Sequence, residues 1–324
     1  MPDTILRPAT DHLDPQVIAM NEAAVRLGAA PADPLSIPLA EARAAAERYH
    51  GFLNGPTPVP ADVTEVTADG PAGPLPLRLY RPPGRGAERL PVMVYFHGGG
   101  FVVNSVDTHD RLLRLLARHS GAVVCAVRYS LAPERRFPHQ HGEAMAALRW
   151  VAAAGATQGI DPERIAVGGD SAGANLALGL ALAARAPGAP RVAFGLLFYG
   201  MYAHDFDTLS HRRFGDGRYG LTTARMRWYW RQYLGGAAPD DARAAPLQAD
   251  LHGLPPLLLL AADLDCLRDD TLRLAERLAE AGVPHRLAVY DGLPHSFATA
   301  TRLVDRAQGA VLQAALALRR HLNA

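Results

Sequence analysis

Residues 164–178 read RIAVGGDSAGANLAL, and this stretch decides the fold. Its first half, through Val167, is a short apolar run of the kind that forms a buried strand. Two glycines end the run, and from Ala172 onward Ala and Leu recur at helical spacing. The pattern predicts a strand, a tight turn and a helix, with Ser171 at the centre of the turn.

The pentapeptide Gly169–Gly173, G-x-S-x-G, is the nucleophile elbow typical of α/β-hydrolases. A nucleophilic serine must be exposed on a sharp turn, and the flanking glycines allow the strand and helix to approach closely. The following helix directs N–H groups and its positive end toward charge that develops beside Ser171. A phosphate-binding loop is excluded because Ala174 stands where that motif requires Lys. The chain contains no Lys, so lysine Schiff-base chemistry is excluded as well.

Composition bounds the remaining possibilities. The chain has 324 residues, 49% of them hydrophobic, and a formal net charge of +1. Near-neutral charge gives no indication of nucleic acid or an anionic membrane surface as a partner. Cys125 and Cys266 form no disulfide framework, and no HExxH or zinc-ligand spacing occurs. We expect no metal site, and acyl transfer by a serine nucleophile needs no organic cofactor. No secretory signal is recognisable near the N-terminus, and a cytoplasmic location is expected.

The order of patterns along the chain predicts an α/β protein. Residues 62–68 and 75–80 alternate polar with apolar, as a pair of half-exposed antiparallel strands does. From Pro91, continuous apolar strands alternate with helices, which predicts a mostly parallel central sheet flanked by helices. The predicted strands are 92–96, 122–127, 164–167, 192–199, 257–262 and 286–290. The predicted helices are 108–119, 141–153, 172–186, 269–281 and 296–321.

Two segments lie outside this rhythm and predict a helical cap. Residues 1–54 carry two helical patterns before any strand, and residues 201–247 are rich in aromatic side chains. We expect these segments to form the cap, and residues 55–200 and 248–324 to form the catalytic core. A plain pair of surface helices is the alternative for 201–247. Four aromatic residues are predicted to line a pocket: Phe101, Phe206, Phe214 and Tyr219.

A nucleophilic serine needs a base, and the base needs an orienting carboxylate. His295 follows the last predicted strand and is therefore expected at the sheet edge where the elbow opens. For the acid, spacing leaves Asp263 and Asp265 nearly equivalent. Asp269 and Asp270 are expected to be first-turn helix acids that stabilise only the helix dipole.

The fourth element is His97–Gly100, HGGG, directly after a predicted strand. Acyl transfer builds negative charge on the former carbonyl oxygen, and glycines allow main-chain N–H groups to approach that oxygen. With the elbow, the run is the HGGG-type oxyanion element of lipases and esterases. We expect His97 itself to make structural hydrogen bonds.

The motifs together resemble the hormone-sensitive-lipase family (bacterial family IV) of carboxylesterases. The resemblance rests on HGGGF (97–101), YSLAPERRFP (129–138), GDSAG (169–173), PLQADLHGLPP (246–256), DCLRD (265–269) and PHSF (294–297). It implies an α/β-hydrolase core with a helical cap, and hydrolysis of short- to medium-chain carboxylic esters through an acyl-enzyme. It assigns Ser171, Asp265 and His295 as the triad and so settles the choice of acid. The oxyanion N–H donors would be those of Gly99, Gly100 and Ala172. It also implies a homodimer joined through the last strand and helix.

Several positions depart from the family pattern near the site. Cys266 replaces a Pro, Ser296 replaces a Gly, and Asn104 stands where a Gly is common. None removes a catalytic group, so they affect substrate preference and loop rigidity. Two alternatives stay open: an amidase or lactonase with the same triad, and a non-catalytic hydrolase-fold protein that senses a small ligand. The presence of His295 argues against the ligand sensor.

Overall fold

A computed structural model describes residues 11–86 and 88–323. Within them the strands are β1 (Asp62–Gly70), β2 (Gly73–Arg81), β3 (Leu90–Phe96), β4 (Val123–Val127), β5 (Ile160–Asp170), β6 (Phe194–Phe198), β7 (Leu257–Leu264) and β8 (His285–Pro294). They form one 8-stranded sheet in the order β1-β2-β4-β3-β5-β6-β7-β8. β1 and β2 are antiparallel to each other, and β2 is antiparallel to β4. All other neighbours are parallel, which confirms the mostly parallel α/β sheet.

The central strands β3, β4, β6 and β7 are buried on both faces, which explains why they are continuous apolar runs. Along β3, Val92 and Val94 pack into the hydrophobic cluster on one face. The alternate residues Met93 and Tyr95 pack into the cluster on the other face. This is the two-residue period of a strand with cores on both sides.

Helices cover both faces of the sheet. They are α1 (Pro15–Arg26), α2 (Leu39–Asn54), α3 (Asp110–Ser120), α4 (His139–Ala153), α5 (Ala172–Ala183), α6 (Leu209–Phe214), α7 (Thr223–Leu234), α8 (Arg268–Glu280) and α9 (Asp305–Asn323). α3 and α9 pack on one face, whereas α4, α5 and α8 pack on the other. In the described part of the chain, none of these helices is both long and apolar enough to cross a bilayer.

The last helix begins later than its pattern predicts. The sequence predicts a helix from Ser296, but α9 begins at Asp305. Ser296 has a φ of 64°, in the left-handed region, and only a short 3₁₀ turn follows at Phe297–Thr299. A left-handed residue does not continue a right-handed helix. The apolar residues of this segment therefore pack as a turn beneath the site.

The N-terminal helices and the segment around α6 and α7 contact each other. Arg225 Nε donates to Asp33 Oδ1 at 3.0 Å, and the Tyr219 hydroxyl donates to the carbonyl of Asp11 at 3.2 Å. Trp230 and Tyr233 of α7 belong to the main hydrophobic cluster of the sheet. Val17 and Leu53 of the N-terminal helices belong instead to the cluster on the other face. The two segments are therefore joined to each other by these polar contacts, and each packs into a different hydrophobic cluster of the sheet.

Candidate active site

Ser171 lies at the sharp turn between β5 and α5. Its φ and ψ are 54° and −119°, a strained conformation for a residue with a side chain. A Cβ added at Gly169 would lie 2.7 Å from the Phe96 carbonyl oxygen, and one at Gly173 would lie 2.7 Å from that of His97. Both distances are well inside contact, so only glycine fits at either position. The turn is thus packed directly against the end of β3.

The elbow, the loop after β7 and the loop after β8 bring three distant side chains together. The Ser171 hydroxyl lies 2.9 Å from His295 Nε2, and Asp265 Oδ2 lies 2.7 Å from His295 Nδ1. Because the carboxylate accepts from Nδ1–H, Nε2 is left as the acceptor for the serine proton. The geometry is that of a nucleophile, a base and an orienting acid.

The acid is held by its own loop. Asp265 is 1% exposed, and its Oδ1 accepts a hydrogen bond from the backbone N–H of Leu267 at 2.9 Å. Asp263, the competing candidate, accepts from the Gly292 N–H at 3.5 Å and faces Arg268 at 3.6 Å. The imidazole contact therefore belongs to Asp265.

The HGGG loop presents backbone donors beside the serine. Gly99 and Gly100 have φ values of 121° and 60°, which other residues adopt only with strain. The Gly99 carbonyl accepts from the N–H groups of Val102 and Val103, both at 3.0 Å, and this closes the loop. Across residues 11–86 and 88–323, the N–H groups of Gly99, Gly100 and Ala172 have no protein acceptor. These are the N–H groups that the family resemblance implies as oxyanion donors.

Asp170, which the sequence analysis did not single out, ties this loop to the elbow. Its Oδ1 accepts from the Tyr95 hydroxyl and the Gly98 N–H, both at 2.9 Å, and its Oδ2 lies 3.2 Å from His109 Nε2. Burial raises the pKa of Asp170, but the His109 imidazole and these hydrogen bonds outweigh burial and place the pKa below its ordinary value. A buried carboxylate therefore fixes the start of the donor loop.

His97 makes structural contacts, as expected. Its ring stacks on Tyr129 at 4.4 Å between centroids, and its Nδ1 lies 2.7 Å from the Gly98 carbonyl oxygen. Burial, with a contribution from His109, lowers the pKa of His97 to about 3. An uncharged imidazole at this place packs the loop without adding charge to the site.

A cavity of about 200 Å³ opens beside Ser171. Of the four predicted aromatic residues, Tyr219 lines it. Among the described residues, the other three do not. Phe101 stacks on Tyr233 at 3.8 Å, Phe206 lies under the Arg227 guanidinium, and Phe214 packs edge-on against Tyr219. The lining residues not predicted include Ala42, Ala46, Tyr49, His50, Asn104, Met226 and Tyr229.

The prediction for Asp269 and Asp270 is wrong in one respect. Both lie in the first turn of α8, but they also bind the segment after β6. Asp270 Oδ2 accepts from the N–H groups of Tyr202 and Ala203 at 2.7 and 3.0 Å, and Asp269 Oδ2 accepts from that of Ser210 at 2.9 Å. Burial raises the pKa of Asp270 to about 7, although these N–H groups oppose the effect.

Two of the unusual residues occupy backbone positions that favour glycine. Ser296 and Asn104 have φ values of 64° and 70°, and both line the cavity. Cys266 is 1% exposed, and burial, with a contribution from Asp265, raises the pKa of its thiol well above the ordinary value. Among the described residues, no group of His, Cys, Asp or Glu side chains is arranged to hold a metal ion.

The fold and the elbow define an α/β hydrolase. The family described as "alpha/beta hydrolase fold" matches residues 93–299. Esterase LipI of Mycobacterium tuberculosis is 39% identical over 261 residues, covering 79% of this chain and 81% of that protein. Ethyl acetate hydrolase of Pseudomonas putida is 36% identical over 291 residues, covering 87% and 90%. A thermostable esterase from Pseudomonas putida superposes with a TM-score of 0.90 at 34% identity, covering 97% of this chain and 99% of that one. The chain belongs to the hormone-sensitive-lipase family of α/β-hydrolase carboxylesterases, and it is a carboxylic ester hydrolase.

Proposed function

We propose that Ser171 attacks the carbonyl of a short- to medium-chain carboxylic ester while His295 accepts the serine proton. Asp265 holds the imidazole in the required tautomer and stabilises the imidazolium that forms. The observation that carries the proposal is the position of His295, 2.9 Å from Ser171 Oγ and 2.7 Å from Asp265 Oδ2.

The tetrahedral oxyanion is stabilised by the N–H groups of Gly99, Gly100 and Ala172. His295 then protonates the departing alcohol, and an ester bond now joins the acyl group to Ser171. Water, deprotonated by the same imidazole, attacks this acyl-enzyme; the bond between the acyl carbon and Ser171 Oγ breaks, the imidazolium returns its proton to Oγ, and the carboxylic acid is released. Donors already in place need no reorganisation during either step, and loss of one typically costs 10²–10³-fold in rate.

The size of the cavity supports the preference for short chains. Pockets for drug-sized ligands measure roughly 300–1,000 Å³, whereas the cavity beside Ser171 measures about 200 Å³. Relatives named ethyl acetate hydrolase and acetyl esterase point to the same class of substrate. Residues 1–54 and 201–247 act as the cap over this cavity, and the contact of Arg225 with Asp33 supports this assignment for the described residues.

Replacement of the nucleophile tests the mechanism. Ser171→Ala removes the attacking oxygen, and kcat for p-nitrophenyl acetate and butyrate should fall at least about 10³-fold with an unchanged circular dichroism spectrum. A fluorophosphonate probe should label the native protein and Ser296→Ala, whose serine lines the same cavity, but not Ser171→Ala. Turnover that survives Ser171→Ala would rule out the mechanism.

Assembly and location are proposed on separate grounds. A homodimer joined through β8 and α9 is supported by the place of β8 at the edge of the sheet. A cytoplasmic location is supported by Cys125 and Cys266, which are both buried free thiols.

A further inference from the structure

His50 of α2 combines deep burial with access to the active-site cavity. It is 6% exposed, and it lines the cavity that contains Ser171 and His295. Its ring stacks on His109, with 5.7 Å between centroids and 22° between planes, and contacts Tyr49 edge-on. These two neighbours fix the plane of the imidazole, so its ring nitrogens have defined directions.

The two ring nitrogens of His50 have no hydrogen-bond partner within the described part of the protein. Nδ1 is fully buried and has no partner among the described residues. Nε2 also makes no hydrogen bond to described residues, but unlike Nδ1 it is not among the fully buried side-chain atoms that lack a partner, and His50 lines the cavity. A neutral imidazole carries one proton, and an N–H at Nδ1 would be a buried donor with no acceptor, whereas an N–H at Nε2 can meet an acceptor bound in the cavity. The proton therefore belongs on Nε2, facing the cavity.

The charge of His50 limits what this group can bind. Burial, followed by repulsion from His109, lowers its pKa to about 3, so the ring is neutral at working pH. An uncharged donor in a wall that includes Ala42 and Ala46 favours a neutral acceptor over an anion. Packing alone does not require a polar ring at this position, because an apolar side chain of similar size would fill the same space.

We propose that the N–H at Nε2 of His50 donates a hydrogen bond to the substrate. The site therefore favours esters that carry a second oxygen, as an ether, hydroxyl or carbonyl, on the acyl arm or on the alcohol arm. This rests on the proposed function, because the cavity must hold an ester at Ser171. It extends that function by naming a substrate class: oxygen-bearing short esters, preferred over hydrocarbon esters of equal size.

Matched ester pairs test this donor directly. p-Nitrophenyl methoxyacetate is the oxa analogue of p-nitrophenyl butyrate on the acyl arm, and 2-methoxyethyl acetate is that of butyl acetate on the alcohol arm. For each pair, the ratio of kcat/KM values is compared between variants, which cancels the intrinsic reactivity of the esters. His50→Met and His50→Gln have similar shape and helix propensity, but only Gln retains an N–H donor.

In one pair, His50→Met should lower the oxa-to-methylene ratio about 3- to 10-fold, the range of one neutral hydrogen bond, and His50→Gln should stay within about twofold of the native ratio. The pair of esters whose ratio falls shows whether His50 binds an oxygen on the acyl arm or on the alcohol arm. Tyr49→Phe, which removes the hydroxyl of a neighbouring residue that lines the same cavity, should leave that ratio unchanged. Equal ratios for His50→Met and His50→Gln in both pairs would overturn the proposal, as would a shift caused by Tyr49→Phe alone. If the native protein hydrolyses none of the four esters, that result would instead contradict the proposed function.

Discussion

Asp270→Asn should change how the stability of the protein depends on pH. Asp270 is 1% exposed, and its Oδ2 accepts the N–H groups of Tyr202 and Ala203. Its Oδ1 has no partner in the described part of the chain. An asparagine oxygen can accept both N–H groups without a buried charge, so the substitution removes the titration and keeps the contact.

The magnitude follows from the pKa. Burial raises the pKa of Asp270 from 3.8 to about 7, and three pH units at 1.36 kcal/mol each are worth about 4 kcal/mol. Between these two values the native state holds a proton that the unfolded chain has released. The stability that this protonated carboxyl contributes is therefore fully present below pH 3.8 and is lost as pH rises toward 7. Between pH 5 and pH 8 the loss attributable to this carboxyl is about 2.5 kcal/mol.

Urea unfolding at pH 5 and pH 8 measures this loss. The difference in unfolding free energy between the native protein and Asp270→Asn should shift by about 2.5 kcal/mol in favour of the variant at pH 8. Asp269→Asn is the matched control, because it removes a half-buried carboxylate one residue earlier. The reasoning is refuted if Asp270→Asn and the native protein lose stability in parallel between the two pH values.

Two further predictions concern packing and assembly. Gly173→Ala should lower the unfolding free energy by about 3 kcal/mol or more, because its Cβ would lie 2.7 Å from the His97 carbonyl oxygen. Gly309→Ala in α9 meets no atom within 4 Å and should instead gain about 0.5–1 kcal/mol, and thermal unfolding of both variants compares them. Sedimentation velocity should show a species of twice the chain mass, and a single species of the chain mass at all concentrations would contradict the homodimer.

The centre of the sheet was predictable because the parallel strands β3, β4, β6 and β7 are buried on both faces. Such strands are short apolar runs bounded by turn residues, and this local signal survives without tertiary information. The start of α9 was not predictable in the same way. Residues 296–304 have helical spacing, but the left-handed Ser296 begins a 3₁₀ turn whose Phe297 packs edge-on against Tyr199, the ring that also contacts His295. Local composition does not contain that constraint.

The residues that line the cavity could also not be predicted from the sequence. Aromatic density marks residues that need burial, but it does not distinguish core packing from a ligand pocket. Phe101 and Phe214 meet that need against other rings, at Tyr233 and Tyr219. Small and polar residues of α2, such as His50, line the cavity instead. Their position depends on how α2 lies over the sheet, and helical spacing alone does not determine that placement.

Asp170 shows why the motif residues act as one unit. It is the variable residue before the nucleophile in G-x-S-x-G, yet it binds Gly98 of the donor loop and Tyr95 of β3. An added Cβ at Gly98 would fall on the Asp170 side chain, so the glycine and the carboxylate require each other. Because Ser171 follows Asp170 directly, any shift of the carboxylate moves the nucleophile and the oxyanion donors together. The distance between attacking oxygen and stabilising N–H groups, on which acyl transfer depends, is thereby set by one buried charge and not by two independent loops.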